Sequence, residues 1–562
     1  LDPACGCGNF LIITYRELRD LEILVLQELN KTGQLVTDVS DIIQVDVDQF
    51  AGIEYDEFAV RVAEVAMWLI DHQMNIKVSN TFGQYFVRLP LKKAAKIING
   101  NALRIDWEEV VSKEKLNFIL GNPPFVGKKE QSLDQKADMN RVLGDVKGAG
   151  ILDYVSAWYI KAAQYIQKTT LRCAFVSTNS ITQGEQIGIL WQELFKKYHL
   201  KIHFAHRTFE WSNEAKKKAA VHCVIIGFGL EEFDNKQIFD YTDPQGEPIS
   251  MKVQKINPYL VEGNDNFITS RSKPICNVSE IIKGSETTDD GHFLLTEDEV
   301  NYLLSNYPEA KTFIRKFISG GDIINGRTRH SLWLKETNPS LIKKIPLVLS
   351  KIESVKLFRE SSPKQRTREW ARFPMLFSED RQPNTDFLVI PKVSSEKRLY
   401  IPFVYFSKDY LINNTVSYIP NADKFLFGVI QSEMHMTWIK YVCGRTKSDY
   451  QYSNTIVYNN FPFPETATAK QKQTVETCAQ AVLDTRAKYP DSSLADLYDP
   501  LTMPPDLVKA HQKLDKAVDL CYRPQPFANE LNRIEYLFEL YEKLTAPLLP
   551  TAKQKRKKRS QF

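Results

Sequence analysis

Asp2-Pro3-Ala4-Cys5-Gly6-Cys7-Gly8-Asn9-Phe10-Leu11 opens the chain, and Asn122-Pro123-Pro124-Phe125 follows the apolar run Asn117–Gly121. In the first stretch an acid and a proline precede two glycines, and a helical pattern begins at Phe10. Gly6 and Gly8 let the backbone turn sharply and approach a ligand with no Cβ in the way. A helix that starts directly after them points unpaired N–H groups at whatever binds there. A lone G-x-G is also an ordinary strand-to-helix turn. The order here departs from the G-x-G-x-x-G dinucleotide fingerprint. An acid at Asp2, with Pro3 and Ala4 shaping the turn, suits an adenosine cofactor with a cationic amino-acid end better than it suits a pyrophosphate.

Gly52-Ile53-Glu54 closes a second short apolar run ahead of a helix. An acid at the end of the second strand of an open α/β sheet can bind ribose hydroxyls. Asn101, in Gly100-Asn101-Ala102-Leu103, is the comparable candidate at the end of the third strand. The two prolines after Asn122 make a rigid turn without N–H donors, which leaves the local carbonyls as free acceptors. Asn122 adds a side-chain carbonyl and Phe125 an aromatic face. Two acceptors converging on an exocyclic amine, beside a ring that stacks on its base, form a site for a flipped adenine.

Outward from these motifs, residues 1 to about 250 alternate apolar strand-like runs with amphipathic helices, the pattern of an α/β sheet. The spacing predicts helices over Phe10–Leu29, Glu57–Ile70 and Asp153–Ile166, and strands at Gly52–Glu54, Leu116–Leu120, Cys173–Ser177 and Val221–Phe228. From about 260 to 460 short β-branched and aromatic runs are broken by Gly, Asn, Pro and Ser, which predicts a mixed, β-rich domain. After Phe461-Pro462-Phe463-Pro464, helices are expected over Lys470–Lys488, Pro505–Leu520 and Asn529–Leu544. The expected domains are therefore 1–255, 256–462 and 463–550, with a basic tail at 551–562.

Length and composition narrow the class. The 562 residues are 43% hydrophobic and 25% charged, ordinary values for a globular chain of several domains. No apolar run approaches the ~18 residues of a membrane-spanning helix. Eight cysteines without a C-x-x-C pair make neither a disulfide framework nor a zinc site, which points to a reducing, cytoplasmic compartment. The nine histidines show no metal-ligand spacing, so no metal is expected. Position 1 already reads as the end of a core strand, so the natural N-terminus is expected upstream. Six basic residues between Lys553 and Arg559 outweigh the net charge of +4, so the rest of the chain is slightly acidic.

These motifs resemble the class I S-adenosylmethionine-dependent DNA adenine-N6 methyltransferases of the gamma order: cofactor motif first, catalytic motif next, target recognition last. The resemblance extends to the MmeI-like (type IIL) restriction–modification proteins through Ala205–Asn213, Ala219–Phe228, Ile390–Pro402, Met434–Trp438, Gly444–Tyr450, Tyr458–Pro462 and Ser493–Pro505. It implies a Rossmann-like methyltransferase sheet, then a target-recognition domain and a C-terminal helical domain. Its cofactor would be S-adenosylmethionine and its partner double-stranded DNA. By this resemblance Asp2, Gly6 and Gly8 hold the methionine end, Glu54 the ribose, and Asn101 stands where the wider class often has Asp at the adenine ring. Asn122 and the Pro123 backbone bind the target N6 amine, Phe125 stacks on the base, and Phe209 or Trp211 adds a second wall. Relatives usually carry a nuclease and a helical linker upstream, neither of which lies in this sequence. The aromatic-containing motif that precedes the glycine turn in this class is absent too.

Ser394-Ser395-Glu396-Lys397-Arg398 lies between Phe387–Pro391 and Leu399–Phe403 and reads as a hairpin tip. Arg donates bidentately to guanine and Glu accepts from cytosine, so Glu396 and Arg398 on one face of such a tip could read a major groove. An exposed charged turn is the ordinary alternative. Arg445 and Lys447, beside Tyr450 and Tyr452, are candidates for phosphate contact. Met434, Met436 and Trp438 read as helix packing. Two rival functions stand beside DNA adenine methylation: a sequence-specific DNA-binding module with an inactive methyltransferase half, and methylation of a glutamine side chain in protein.

Overall fold

The computed structural model describes all residues except 32–41, 84–92, 212–220, 242, 244, 447 and 547–562, and it divides into two compact units, Leu1–Thr269 and Ser270–Phe562. The sequence texture changes near 255–260, somewhat before this division.

The first unit is built on β1 (Ala51–Glu54), β2 (Lys96–Asn99), β3 (Phe118–Gly121), β4 (Arg172–Thr178), β5 (Lys201–Trp211), β6 (Val221–Gly229), β7 (Lys236–Asp240) and β8 (Ile249–Val253). β1 and β2 pair in parallel, and β3-β4-β6-β5-β7-β8 form a six-stranded sheet. The opening residues join the two. The Asp2 N–H donates to the Ala51 carbonyl and the Ile53 N–H to the Asp2 carbonyl, both at 2.9 Å, while the Leu120 N–H donates to the Leu1 carbonyl at 3.0 Å. Leu1–Asp2 thus stands as a strand between β1 and β3. β6 runs antiparallel to β4 and β5, and the edge strand β8 antiparallel to β7. The chain order switches direction at Leu1–Asp2, where an open α/β sheet offers a crevice beyond the carboxyl ends of its strands. Ile53, Ile119, Cys173, Phe175, Val176, Val224 and Ile226 are all buried, as strands covered on both faces require.

α1 (Asn9–Lys31) and α2 (Glu57–Phe82) follow the first two strands. Asp56 caps α2 by accepting from the Phe58 N–H at 2.8 Å, and α2 stops at Gly83 in the left-handed region. α2 runs a further 12 residues past Ile70, where the apolar spacing predicts its end. Met74 and Val78 keep its buried face, and the Tyr15 hydroxyl satisfies the buried Asp71 carboxylate at 2.6 Å. The helix expected from Asp153 begins instead at Ser156. Asp153 is engaged elsewhere, accepting from Ser180 Oγ (2.6 Å), Gln186 Nε2 (3.0 Å) and the Lys128 N–H (3.2 Å).

The second unit is mixed, as its sequence texture predicts, but helices Glu297–Asn306, Pro346–Glu360, Lys424–Ile430 and Glu433–Val442 interrupt the short strands. Its sheets include a four-stranded one around Phe387–Pro391 and Val416–Pro420, and a three-stranded one of Val393–Ser394, Asp449–Gln451 and Gly444–Thr446. The expected hairpin needs a correction. Phe387–Val389 pairs with Val404–Phe406, and residues 399–403 form no strand. Tyr400 is drawn instead to Asp515, onto which its hydroxyl donates at 2.6 Å. Three helices close the unit, Ala469–Ala487, Pro505–Tyr522 and Glu530–Thr545, within one or two residues of the predicted bounds. No described helix is long and apolar enough to cross a membrane.

Candidate active site

Asp2, Glu54, Asn101 and Asn122 stand at or just beyond the carboxyl ends of four adjacent strands. Asp2 is 1% exposed, and its Oδ1 accepts from the Ala4 N–H at 2.9 Å, whereas Oδ2 is buried with no hydrogen-bond partner. Burial pushes the Asp2 carboxyl up to about 7, because a charge held away from water disfavours its own ionisation. Gly121 makes room for this carboxylate: a Cβ there would lie 2.5 Å from Asp2 Oδ1. Leu1–Asp2 and β3 thereby set Asp2 against Gly121, the residue before Asn122.

The loop after Asp2 is fixed from both flanks. The Cys5 N–H donates to the Ile53 carbonyl at 3.1 Å, and Trp158 Nε1 donates to the Pro3 carbonyl at 3.0 Å. Gly6 and Gly8 both take positive φ, 53° and 86°, and Gly8 packs so close to α2 that a Cβ would meet Ala63 Cβ at 3.2 Å. The Gly6 N–H donates to Glu54 Oε2 and the Asp56 N–H to Glu54 Oε1, each at 2.9 Å. Glu54 is oriented by two backbone donors and retains lone pairs on both oxygens.

Asn101 is committed within the protein. Its Nδ2 donates to Asp138 Oδ2 at 2.8 Å, and its Oδ1 accepts from the Leu103 N–H at 2.9 Å. Arg104 and Tyr154 also donate to Asp138, at 2.6 Å and 3.2 Å. Burial by itself would raise the Asp138 carboxyl, yet the Arg104 and Asn101 donors outweigh it and hold the group below its ordinary range. Sequence reading missed Asp138, Arg104 and Trp158, since their partners lie 16 to 155 residues away and no local pattern marks them.

Asn122 follows β3 directly, and its Oδ1 is buried with no hydrogen-bond partner. Pro123 is buried, Pro124 exposed and Phe125 half-buried. Among the described residues no hydrogen bond reaches the Pro123 carbonyl. The turn is held from behind, where the Tyr154 N–H donates to the Val126 carbonyl (2.9 Å) and Gln131 Nε2 to the Leu152 carbonyl (3.1 Å). Phe209 and Trp211 end β5; Phe209 stacks on Tyr241 with ring centres 5.3 Å apart and tilts against Trp211 at 6.2 Å.

The second unit gathers the other candidates at one end of its three-stranded sheet. Ser394 pairs with Tyr450, which pairs with Arg445, so the Ser395–Arg398 turn leaves the sheet at the end where Thr446 pairs with Asp449. Arg445 Nη1 meets Glu396 Oε2 at 3.2 Å, and Arg398 Nη1 donates to Ser394 Oγ at 3.3 Å. Glu396 and Arg398 thus sit on a tight turn, and the extended strand expected to align them is absent. Lys447 lies outside the described residues. Tyr450 lies under the Arg445 guanidinium at 4.3 Å and Tyr452 bonds to His435, both buried, so neither ring is presented for contact. Met434, Met436 and Trp438 are buried in their helix, as packing residues are.

Comparison with known proteins bears on both clusters. The model of the MmeI DNA-methyltransferase domain matches residues 1–240, that of the MmeI target recognition domain 262–465, and that of the MmeI C-terminal domain 467–549. A solved structure described as the type IIL restriction-modification enzyme MmeI in complex with DNA superposes with a TM-score of 0.84 at 50% identity, over 97% of this chain and 72% of that one. The chain belongs to the MmeI family. DNA methyltransferase A of Bacillus subtilis (strain 168) is 40% identical to this chain over 548 residues. That match takes in 97% of this chain and 61% of the curated relative, so the chain spans less than two thirds of its length. The three MmeI domain models follow one another in the order in which the two candidate clusters occur. The unpaired oxygens of Asp2 and Asn122 fall in the methyltransferase model, and the Glu396–Arg398–Arg445 group in the recognition model.

Proposed function

We propose that this MmeI-family chain transfers a methyl group from S-adenosylmethionine to the N6 amine of adenine in duplex DNA, at sites chosen by its recognition domain. The observation that carries the reading is the pair of buried, unpartnered oxygens, Asp2 Oδ2 and Asn122 Oδ1, with Gly121 packed against Asp2 and directly preceding Asn122. A buried polar atom without a partner costs about 1–3 kcal/mol, and a ligand that supplies the missing donor recovers it. The cationic amine of S-adenosylmethionine is such a donor for Asp2, and the exocyclic amine of adenine is one for Asn122.

The residues present fit the cofactor. Asp2 would hold its amino group, the turn through Gly6 and Gly8 gives its methionine end close backbone approach, and Glu54 has free lone pairs for two ribose hydroxyls. Pro3 and Ala4 act by holding the turn. Asn101, already bonded to Asp138, would shape the adenine end through its backbone rather than its amide. When bound, S-adenosylmethionine supplies an electrophilic methyl group on sulfur. Asn122 Oδ1 and the Pro123 carbonyl accept the two N6 hydrogens, which draws the nitrogen lone pair out of conjugation with the ring and aims it at the crevice. Pro124 stiffens the turn and Phe125 stacks on the extruded base, with Phe209 or Trp211 as a second wall. Unstacking costs a few kcal/mol, and the acceleration comes mainly from positioning and preorganised acceptors. A target-recognition domain in the same chain favours DNA over a glutamine side chain as the acceptor.

Glu396 and Arg398 are proposed to read bases, with Arg445 and Lys447 holding phosphates around them. Each good base contact is worth ~1–3 kcal/mol of discrimination. The double variant Glu396→Lys with Arg398→Asp is expected to methylate a motif altered at one or more positions, read by mapping methylated sites across a genome. An unchanged motif would mean that the turn does not read bases. The basic tail, whose residues lie outside those described, is expected to add only sequence-independent affinity. Deleting 553–562 should flatten the salt dependence of DNA binding and leave the methylated sequence as it was; a changed sequence would assign the tail a role in readout.

A further inference from the structure

The turn that carries Glu396 and Arg398 is held by residues far along the chain. Tyr400, two positions after Arg398, is 8% exposed; its hydroxyl donates to Asp515 Oδ2 at 2.6 Å, and its ring stacks on His511 at 4.0 Å and 21°. Asp515 and His511 both lie on Pro505–Tyr522, within the part matched by the MmeI C-terminal domain model. The other oxygen of the same carboxylate, Asp515 Oδ1, accepts from the Glu433 N–H at 2.7 Å. Glu433 is the first residue of the helix Glu433–Val442, which runs directly into Gly444 and Arg445. Arg445 closes the circuit by pairing with Glu396 at 3.2 Å.

We propose that Asp515 is a positioning residue for base readout, fixing the Glu396–Arg398 turn through Tyr400 and Arg445 through the start of the helix that precedes its strand. The inference rests on the reading of Glu396 and Arg398 as base-contacting residues. Each oxygen of one buried carboxylate takes a different strut: one leads two residues back to Arg398, the other leads along a helix to the partner of Glu396. Relative placement of the two arms is then set at one point in the C-terminal domain. A buried carboxylate in contact with two donors is costly to form without both, so the arms are held in one arrangement rather than left to wander before DNA arrives. Such preorganisation favours the duplex that matches that arrangement over one requiring another.

The test compares three variants with the wild type on the methylated sequence and on duplexes changed at one base pair. Tyr400→Phe removes the hydroxyl and keeps the ring on His511. Asp515→Leu removes both acceptors. Asp515→Asn keeps an acceptor for the Glu433 N–H and a polar partner for the Tyr400 hydroxyl. The ratio of kcat/KM between matched and changed duplexes is expected to fall by about tenfold in Tyr400→Phe and more in Asp515→Leu, mainly through a lower KM for the changed duplex, and to recover in Asp515→Asn. Thermal unfolding, measured alongside, reports on folding. If Tyr400→Phe loses turnover on every duplex equally, or leaves the ratio unchanged, Asp515 is structural only and the inference is overturned; this variant decides even if Asp515→Leu does not fold. The Glu396→Lys with Arg398→Asp variant runs in parallel. A motif unchanged there overturns the base-reading assignment itself, whereas a motif changed there with the ratio unmoved in Tyr400→Phe overturns the role of Asp515 alone.

Discussion

Asn122→Ala is expected to lower methyl transfer by about 10²–10³-fold while leaving S-adenosylmethionine affinity within about twofold of the wild type. The size follows from the geometry. Asn122 Oδ1 is a buried acceptor with nothing else to bond, so its contribution is realised only when an amine arrives, and the Pro123 carbonyl remains to hold one of the two hydrogens. Cofactor affinity is spared because Asp2, Gly6 and Glu54 are oriented by Ala4, Ile53 and Asp56 and by one another, not by Asn122. Single-turnover transfer with labelled cofactor, together with calorimetry, reads both quantities. Wild-type turnover in this variant would remove the amine-acceptor mechanism. Loss of cofactor binding with it would make Asn122 a structural prop of the crevice.

The second large effect concerns Asp2. Its carboxyl is pushed up to about 7 from an ordinary 3.8 by burial, so the ligand-free folded state holds a proton that the unfolded chain releases. The sign is fixed by linkage: stability associated with Asp2 is fully present below about pH 4 and declines as pH rises to about 7, by about 4 kcal/mol in all. Asp2→Asn should therefore be more stable than the wild type at pH 8 without cofactor, and lose that advantage near pH 4. The same variant should bind S-adenosylmethionine about 100-fold more weakly, because the cationic amine loses its buried partner. In the wild type, affinity should weaken by about tenfold per pH unit below 7, as the carboxyl must ionise to bind. Thermal unfolding and calorimetry at pH 5 and 8 check all three. An Asp2→Asn protein that binds cofactor as well as the wild type would place the amine elsewhere.

Those residues were legible in the sequence because each motif is local. Asp2–Gly8, Gly52–Glu54 and Asn122–Phe125 each carry their strand, turn and chemical group within ten residues, and the sheet brings the three carboxyl ends together. What escaped reading depends on long separations. β5 is broken by register shifts between Ile202 and Phe204 and between His206 and Phe209, which spoil the alternation that marks a strand. The full length of α2 rests on Tyr15, 56 residues before Asp71. The hairpin expected at Leu399–Phe403 failed for the same cause: Tyr400 is held by Asp515, 115 residues on, and the return strand moves to Val404–Phe406. Asn101 looked like a ligand contact by position alone, and its amide proved to be satisfied by Asp138 and the Leu103 N–H.

The proposed activity turns on which atom is methylated. Incubating the protein with isotopically labelled S-adenosylmethionine and duplex DNA, digesting the DNA to nucleosides and identifying the labelled product by mass spectrometry addresses it directly. Label is expected in N6-methyldeoxyadenosine, confined to one short sequence context, and at about 10²–10³-fold lower rate with Asn122→Ala. Label in methylated cytosine or on a protein glutamine, or no label in DNA from protein that binds both cofactor and duplex, would contradict it.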